Sequence, residues 1–559
     1  MPASSTRVGY VPVVAVADHG RRGKQWAGKA AMAMLLSAFL DGVRPVDMIG
    51  EVSTVHISSV SYDSREVRDG ALFCCLDGTR YDGHEFAGLA VSNGASALLV
   101  ERRLDIAVPQ VVVTQGAARA AMAVIAANFY GRPSGSLVMF GVTGTNGKTT
   151  VAHMVASILR AGGLRTSVIG TLGGGRTTPE SADLQRSLAQ ARDSGFKAVS
   201  MEVSSHGMVQ HRVDAIRFQA AVFTNLSPEH LDYHKTMDMY FAAKAALFVP
   251  ERVENAIINV DDPWGRLLVE RASGVPVLRY SADEASEVSQ DEHGSSFCWR
   301  GMQVRIPLAG RYNVLNAIAA ANAGLVLGVD EDEIAEGLYT MEPVPGRFAL
   351  YRSPSGGIVV IDYAHTPDAL EAVLMSAREI MHEPSRQLTC VFGCGGDRDA
   401  SKRPLMGSVA ARLADRVVVT SDNSRNENPV VIMDEIVSGI GADDRNRLVV
   451  EIDRRKAIKS AVAQLRDGDV VVVAGRGHET VMEAGGKCMH FSDAEVVTGC
   501  MAVPVGRYVS VPGGSLSGGE GRSSGVGTDL EVGTDPGAGV SGRSTEGGAG
   551  TAGGVTCSD

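Results

Sequence analysis

Short aliphatic runs alternate along most of this chain with stretches whose apolar residues recur every three or four positions. Leu137 to Phe140 is one such run and reads as a buried strand. Past a glycine-rich turn, Val151, Met154, Val155, Ile158 and Leu159 share one helical face, and Gly162 and Gly163 stop that helix. The same pattern predicts strands ending at Thr171, Glu202, Thr224 and Asn259. Further on it predicts strands at Ile358–Ile361, Leu388–Phe392, Val417–Thr420 and Val470–Val473. Upstream, a strand ends within Val60–Arg65, Ala71–Cys75 and Ala97–Val100 are strands, and His84–Asn93 is helical. Strand–helix alternation implies α/β architecture with parallel sheets and function at the carboxyl ends of the strands.

This patterning predicts three α/β domains with flanking segments. They are an N-terminal extension (1–31), a first domain (32–137), a central phosphate-loop domain (138–345), a Rossmann-like third domain (346–508) and a tail (509–559). In the extension, apolar Val11–Ala17 precedes the basic cluster Arg21, Arg22 and Lys24, the reverse of a signal peptide. The extension is therefore expected to be a disordered arm or to follow from an upstream start, with Met32 and Met34 as alternative starts. The tail is rich in Gly, Ser and Thr and lacks lysine and aromatics, so it buries too little apolar surface to offset its ordering entropy.

Composition narrows the classes. A chain of 559 residues is too long for one core, and its net charge of −11 argues against nucleic-acid and anionic-membrane partners. The eight cysteines contain no C-x-x-C pair, which points to a reducing cytoplasm with neither disulfides nor a zinc site. No apolar run approaches a membrane span in length.

The chemistry centres on Gly141–Thr150, GVTGTNGKTT. Backbone N–H groups of Gly144, Thr145, Asn146 and Gly147, with the positive helix start at Lys148, Thr149 and Thr150, suit phosphate. Lys148 would reach the β- and γ-phosphates and the Thr149 hydroxyl would sit on Mg²⁺. The strict phosphate-loop pattern is missed by one position, since Val142 stands where its first glycine belongs. Glu202 closes one following strand and could hold Mg²⁺; the loop after the next carries Glu229, His230 and Asp232. Each of these taken alone also fits a cap or a solvated polar group. Lys244 shares a face with Tyr240, Leu247 and Phe248 in the helix Met237–Phe248. It fits a snorkelling lysine, or a partly buried neutral amine that reacts with CO₂ to give a carbamate, an anionic ligand for a second Mg²⁺.

GVTGTNGKTT, MEVSSHGMVQHR (201–212), FTNLSPEHLDYH (223–234), GRYNVLNAIAA (310–320), DYAHTPDAL (362–370), GCGGDRD (393–399) and GRGHE (475–479) together resemble the Mur ligases, in particular those that build UDP-N-acetylmuramoyl-tripeptide. The motifs run in family order from about Leu35 to Met501. The resemblance implies the three-domain Mur ligase architecture and an ATP-dependent amide ligase acting on UDP-N-acetylmuramoyl-L-alanyl-D-glutamate. ATP would phosphorylate the D-Glu γ-carboxylate, and the amine of a diamino acid would displace phosphate. It implies Thr149 and Glu202 at one Mg²⁺, and His230 with carbamylated Lys244 at the other. ATP contacts would include Asn316, Arg347, His365 and Asp368; contacts to the UDP-substrate would be Ser64, Thr177, Thr178, Ser204, Gln210 and Arg212. The diamino acid would meet Arg398, Asp422, Asn423, Arg425, Gly475 and Glu479. Family members using diaminopimelate carry Asp-Asn-Pro-Arg; here Asp422, Asn423, Ser424 and Arg425 keep the guanidinium and lose the proline. Diaminopimelate is therefore favoured, with lysine or ornithine as alternatives. A monomer is expected. The competing readings are a folylpolyglutamate synthetase-like ligase, which would lack the first domain, and a non-catalytic nucleotide-binding subunit, which would have lost part of the Mg²⁺ set.

Overall fold

The computed structural model describes residues 34–501, apart from 79, 80, 382 and 384. The expected extension at 1–31, the alternative start Met32 and the tail at 509–559 lie outside the described residues.

Apart from the edge strand Val277–Tyr280, the central sheet is built from largely aliphatic strands that are mostly buried, as strands covered by helices must be. Its order is Val277–Tyr280, Ala256–Asn259, Ala220–Phe223, Val138–Thr143, Ala198–Glu202, Thr166–Ile169, and every pair is parallel. The phosphate-loop strand thus lies between the strands ending at Glu202 and Phe223, with Glu202 level with Val142 and Phe223 with Thr143. Whatever follows those three strands converges on one spot. The helix Lys148–Ala161 turns its apolar face to the sheet, and helices Arg311–Val326 and Glu331–Tyr339 pack over it.

The third unit repeats the design. Its order is Ala349–Arg352, Ile358–Asp362, Val470–Ala474, Leu388–Phe392, Arg416–Val419, Leu448–Val450, antiparallel only at the first pair. The first unit's main sheet has five strands, with Asp47–Ile49 as its antiparallel edge beside Gln110–Val112. Three α/β units with mainly parallel sheets match the expected fold class.

Two elements depart from pure strand–helix alternation. Ala285–Asp291, Gly294–Trp299 and Met302–Ile306 form an antiparallel meander, and Val481–Ala484 pairs with Lys487–His490. Both contain two-residue turns with positive φ at each central position, Arg300-Gly301 and Gly485-Gly486, the geometry that tight hairpins favour. In the meander, Phe297 and Trp299 face the core while Cys298 between them does not, a period of two. The helix expected at Met237–Phe248 ends at Ala245. Among the described residues Cys74, Cys75, Cys298, Cys390, Cys394 and Cys500 are free thiols. No described helix is long and apolar enough to cross a membrane.

Candidate active site

The phosphate loop owes its shape to two glycines. Gly144 (φ 151°) has Thr224 Oγ1 only 1.9 Å from where a Cβ would stand, and Gly147 (φ 88°) has Asn316 Oδ1 at 2.5 Å. Any side chain at either position would meet a neighbouring strand end or helix and wear a disfavoured backbone. Val142, at the position of the missing glycine, is a fully buried strand residue. The Lys148 ammonium donates to the carbonyls of Gly144 (2.9 Å) and Thr145 (2.8 Å), folded onto its own loop. A bound phosphate would offer it stronger, charge-assisted acceptors.

Beside the loop, the Thr149 hydroxyl donates to Glu202 Oε2 at 3.0 Å, and Thr171 N–H donates to Glu202 Oε1 at 2.8 Å. A hydroxyl and one carboxylate at a helix N-terminus fit Mg²⁺, which binds through few protein oxygens and completes its shell with phosphate and water. Among the described residues no group of three or more His, Cys, Asp or Glu is placed to hold a metal ion.

Lys244 lies behind the loop, 1% exposed, and donates to the same Gly144 carbonyl at 2.7 Å. Burial, then the Lys148 cation, hold its amine well below the usual lysine value, with Glu229 opposing. A neutral amine is what carbamylation requires, so the site fits that group. Tyr240 links it to His230: the Tyr240 ring is 4.6 Å from Lys244 Nζ and 6.2 Å from the His230 ring. His230 itself has φ 55°, rare for a residue with a side chain. Burial depresses its pKa; Glu229 works the other way, and Lys244 and Lys148 add to the fall.

Glu229 faces the third unit. Burial pushes its carboxyl up, yet His230, His365 and Lys148 hold it well below the ordinary range. Its Oε1 lies 2.6 Å from His365 Nε2, and His365 Nδ1 lies 2.8 Å from the Tyr363 carbonyl. Arg347 crosses the same seam, donating to Thr149 Oγ1 at 3.0 Å.

Two cavities result. One, of about 450 Å³, is lined by Thr145 to Thr150, Thr177, Glu202, His230, Asn316, Arg347, His365 and Asp368 among the expected residues. The other, of about 220 Å³, is lined by Arg398, Asp422, Asn423, Arg425, Gly475 and Glu479. Glu229, His230, Tyr363 and His365 line both. Of the expected residues, Gly144, Lys244, Ser64, Thr178, Ser204, Gln210 and Arg212 line neither. The Thr178 hydroxyl donates to the Glu202 carbonyl (2.9 Å) and accepts from Ser204 N–H (2.9 Å). The Ser204 hydroxyl caps a short helix through Gly207 N–H. Arg212 pairs with buried Glu180 at 2.9 Å and donates to the Thr178 carbonyl and to Gln210 Oε1. The Ser64 carbonyl accepts from Asn93 in the first unit.

Sequence reasoning missed Thr171, Asn225 and Asp262 in the larger cavity and Asp399 and Lys402 in the smaller. Thr171 and Asn225 sit just past strand ends, where the carboxyl-end rule could have found them.

Three family models match successive parts of the chain: "Mur ligase family, catalytic domain" at 56–130, "Mur ligase middle domain" at 142–324 and "Mur ligase, glutamate ligase domain" at 346–477. The chain is 42% identical over 461 residues to UDP-N-acetylmuramoyl-L-alanyl-D-glutamate--2,6-diaminopimelate ligase of Syntrophomonas wolfei, covering 79% of this chain and 94% of that protein. The like-named ligase of Geobacillus kaustophilus is 41% identical over 471 residues, with the same coverage. A solved structure of a ligase with that name superposes with TM-score 0.59 at 32% identity, covering 84% of this chain and 99% of the other. A D-alanyl-D-alanyl-adding ligase from Acinetobacter baumannii has the same TM-score at 19% identity, over 80% and 96% of the two chains, and shares the fold. With three consecutive family domains and more than 40% identity across nearly the whole length of its relatives, this chain belongs to the Mur ligase family.

Proposed function

We propose that this chain is an ATP-dependent ligase that joins 2,6-diaminopimelate to the D-Glu γ-carboxylate of UDP-N-acetylmuramoyl-L-alanyl-D-glutamate, releasing ADP and phosphate. The observation that carries this is the shared wall: the cavity with the phosphate loop and the cavity rich in paired acids and bases meet at Glu229, His230, Tyr363 and His365. An acyl phosphate formed on one side lies next to an amine held on the other. The names of the relatives support the substrate pair.

A carboxylate is a poor electrophile, so phosphorylation supplies the leaving group. Lys148, Arg347 and the loop N–H groups would stabilise the charge that develops on the transferred phosphoryl group. Thr149 and Glu202 would hold one Mg²⁺, and His230 with Lys244 as its carbamate the second; bound there, Mg²⁺ supplies positive charge to the phosphates. Asn316, His365 and Asp368 would border the nucleotide, and Thr177 the dipeptide. In the smaller cavity the cations Arg398, Lys402 and Arg425 face the acids Asp399, Asp422 and Glu479. That mixture suits a ligand with two ammonium and two carboxylate groups better than lysine, which has one carboxylate. Arg425 is held for such a contact by a left-handed backbone (φ 49°), by the Gly396 carbonyl at 2.6 Å and by Glu483 at 3.6 Å.

The test is direct. Pure protein, ATP, Mg²⁺ and the UDP-dipeptide are incubated separately with diaminopimelate, lysine and ornithine, and the products are weighed. Diaminopimelate should give the tripeptide. A lysine adduct alone would overturn the acceptor assignment, and no adduct with any of the three would overturn the function.

A further inference from the structure

We propose that Arg476 is a positioning residue for the incoming amino acid, fixing Asn423 and Glu479 at the wall of the smaller cavity without itself entering it. The proposal rests on the acceptor reading of that cavity given above.

Arg476 is 0% exposed and lines neither cavity, while Gly475 and Glu479 on either side of it line the smaller one. Two glycines make this geometry. Gly475 (φ 110°) and Gly477 (φ 52°) bend the chain after the strand Val470–Ala474 so that the guanidinium points inward. A Cβ on Gly475 would stand 2.9 Å from Asp422 Oδ2, which ties this turn closely to the Asp422–Arg425 loop.

One arginine fork then joins three segments. Nη1 donates to Asn423 Oδ1 at 3.0 Å and lies 3.4 Å from both Asp422 Oδ1 and Glu479 Oε2. Nη2 donates to the Val481 carbonyl at 2.7 Å and the Phe491 carbonyl at 3.4 Å. The contact to Asn423 decides more than a distance, because a side-chain amide can face either way. Asn423 Oδ1 accepts from Arg476 and from Glu483 N–H (2.9 Å), so its NH₂ must face the cavity side, where it donates to Glu479 Oε2 at 3.0 Å. Arg476, together with the Glu483 N–H, thereby sets which edge of Asn423 and which oxygen of Glu479 remain for a ligand. A lysine in its place would keep a cation for Asp422, but a single ammonium cannot reach both Asn423 and the Val481 carbonyl in fork geometry.

The experiment measures KM for each of the three substrates, and kcat, in wild type, R476K and R476M. In R476K the KM for diaminopimelate should rise about tenfold or more, the scale on which a small misplacement acts. Its kcat should stay within about threefold, and its KM for ATP and for the UDP-dipeptide should be unchanged. R476M should move the same way and further; should it fail to fold, R476K alone decides. An unchanged acceptor KM in R476K, or an equal rise in all three KM values, overturns the positioning role while leaving the function standing. Absence of ligation by the wild type overturns both.

Discussion

A lysine amine donating to a carbonyl already taken by a second lysine is an expensive arrangement at the residue scale. Gly144 O accepts from both Lys148 and Lys244, and burial with like charge drives the Lys244 amine toward neutrality. The arrangement makes sense where the amine is to be converted to an anion. Lys244→Ala is expected to lower ligation by about a hundredfold or more. A short carboxylic acid supplied in the buffer should restore part of it, and full activity of the variant without addition would contradict the role. His153, on the helix Lys148–Ala161, offers a stability test. Burial, then Arg160 and Arg347, push its imidazole down to about 4. The folded chain therefore binds fewer protons there than the unfolded chain, whose histidines titrate near about 6.5. The stability tied to a neutral His153 is complete above that value and is lost as pH falls toward 4. The urea midpoint should fall between about pH 7 and pH 4.5, and fall less in His153→Gln; parallel curves would refute the assignment.

Between elements, close approach depends on small residues. The helix Glu331–Tyr339 lies on Lys148–Ala161 where Gly337 faces backbone: a Cβ there would stand 2.5 Å from Ile158 Cα and 3.0 Å from the Ser157 carbonyl. Alanine gains about 1 kcal/mol over glycine in helix propensity, but backbone atoms cannot turn aside, and overpacking costs about 1–3 kcal/mol. Gly337→Ala should therefore destabilise by up to about 2 kcal/mol in urea unfolding; a gain in stability would show that the helices separate freely. This scale also shows what was readable in advance. The phosphate loop, the strand ends at Glu202 and Asn259 and the third-unit strands follow from local pattern, because their burial repeats in sequence. The two hairpins were legible too, in Arg300-Gly301 and Gly485-Gly486, had the shift to a period of two been followed. The pairing of Glu229 with His365 spans 136 positions, and the reach of Arg476 to Asn423 spans 53. Such contacts leave no periodic trace and arise only when separate strand ends are brought together.

At the scale of the molecule, two sets of polar contacts between the central and third units differ in kind. The inner set is Arg347 on Thr149 and His365 on Glu229, at the phosphate loop, with the Arg347 guanidinium 4.5 Å over the Tyr363 ring. The outer set joins the antiparallel meander and the Arg311 helix to Glu379, through Gln290 at 2.8 Å and Arg311 at 2.9 Å, both bonds exposed. Exposed ion pairs contribute about 0–1 kcal/mol, so Glu379→Ala should change KM for ATP by no more than a few-fold. Arg347 is half-buried and lines the cavity that holds the phosphate loop, where a charge is screened less than in an exposed pair. Arg347→Ala should raise KM for ATP or lower kcat by about tenfold or more while leaving the thermal midpoint within a few degrees. Were the two variants equally impaired, the seam would act as one generic interface. The larger effect at Arg347 would instead locate the coupling between the units at the phosphate loop, where closing the seam and completing the nucleotide site are the same event.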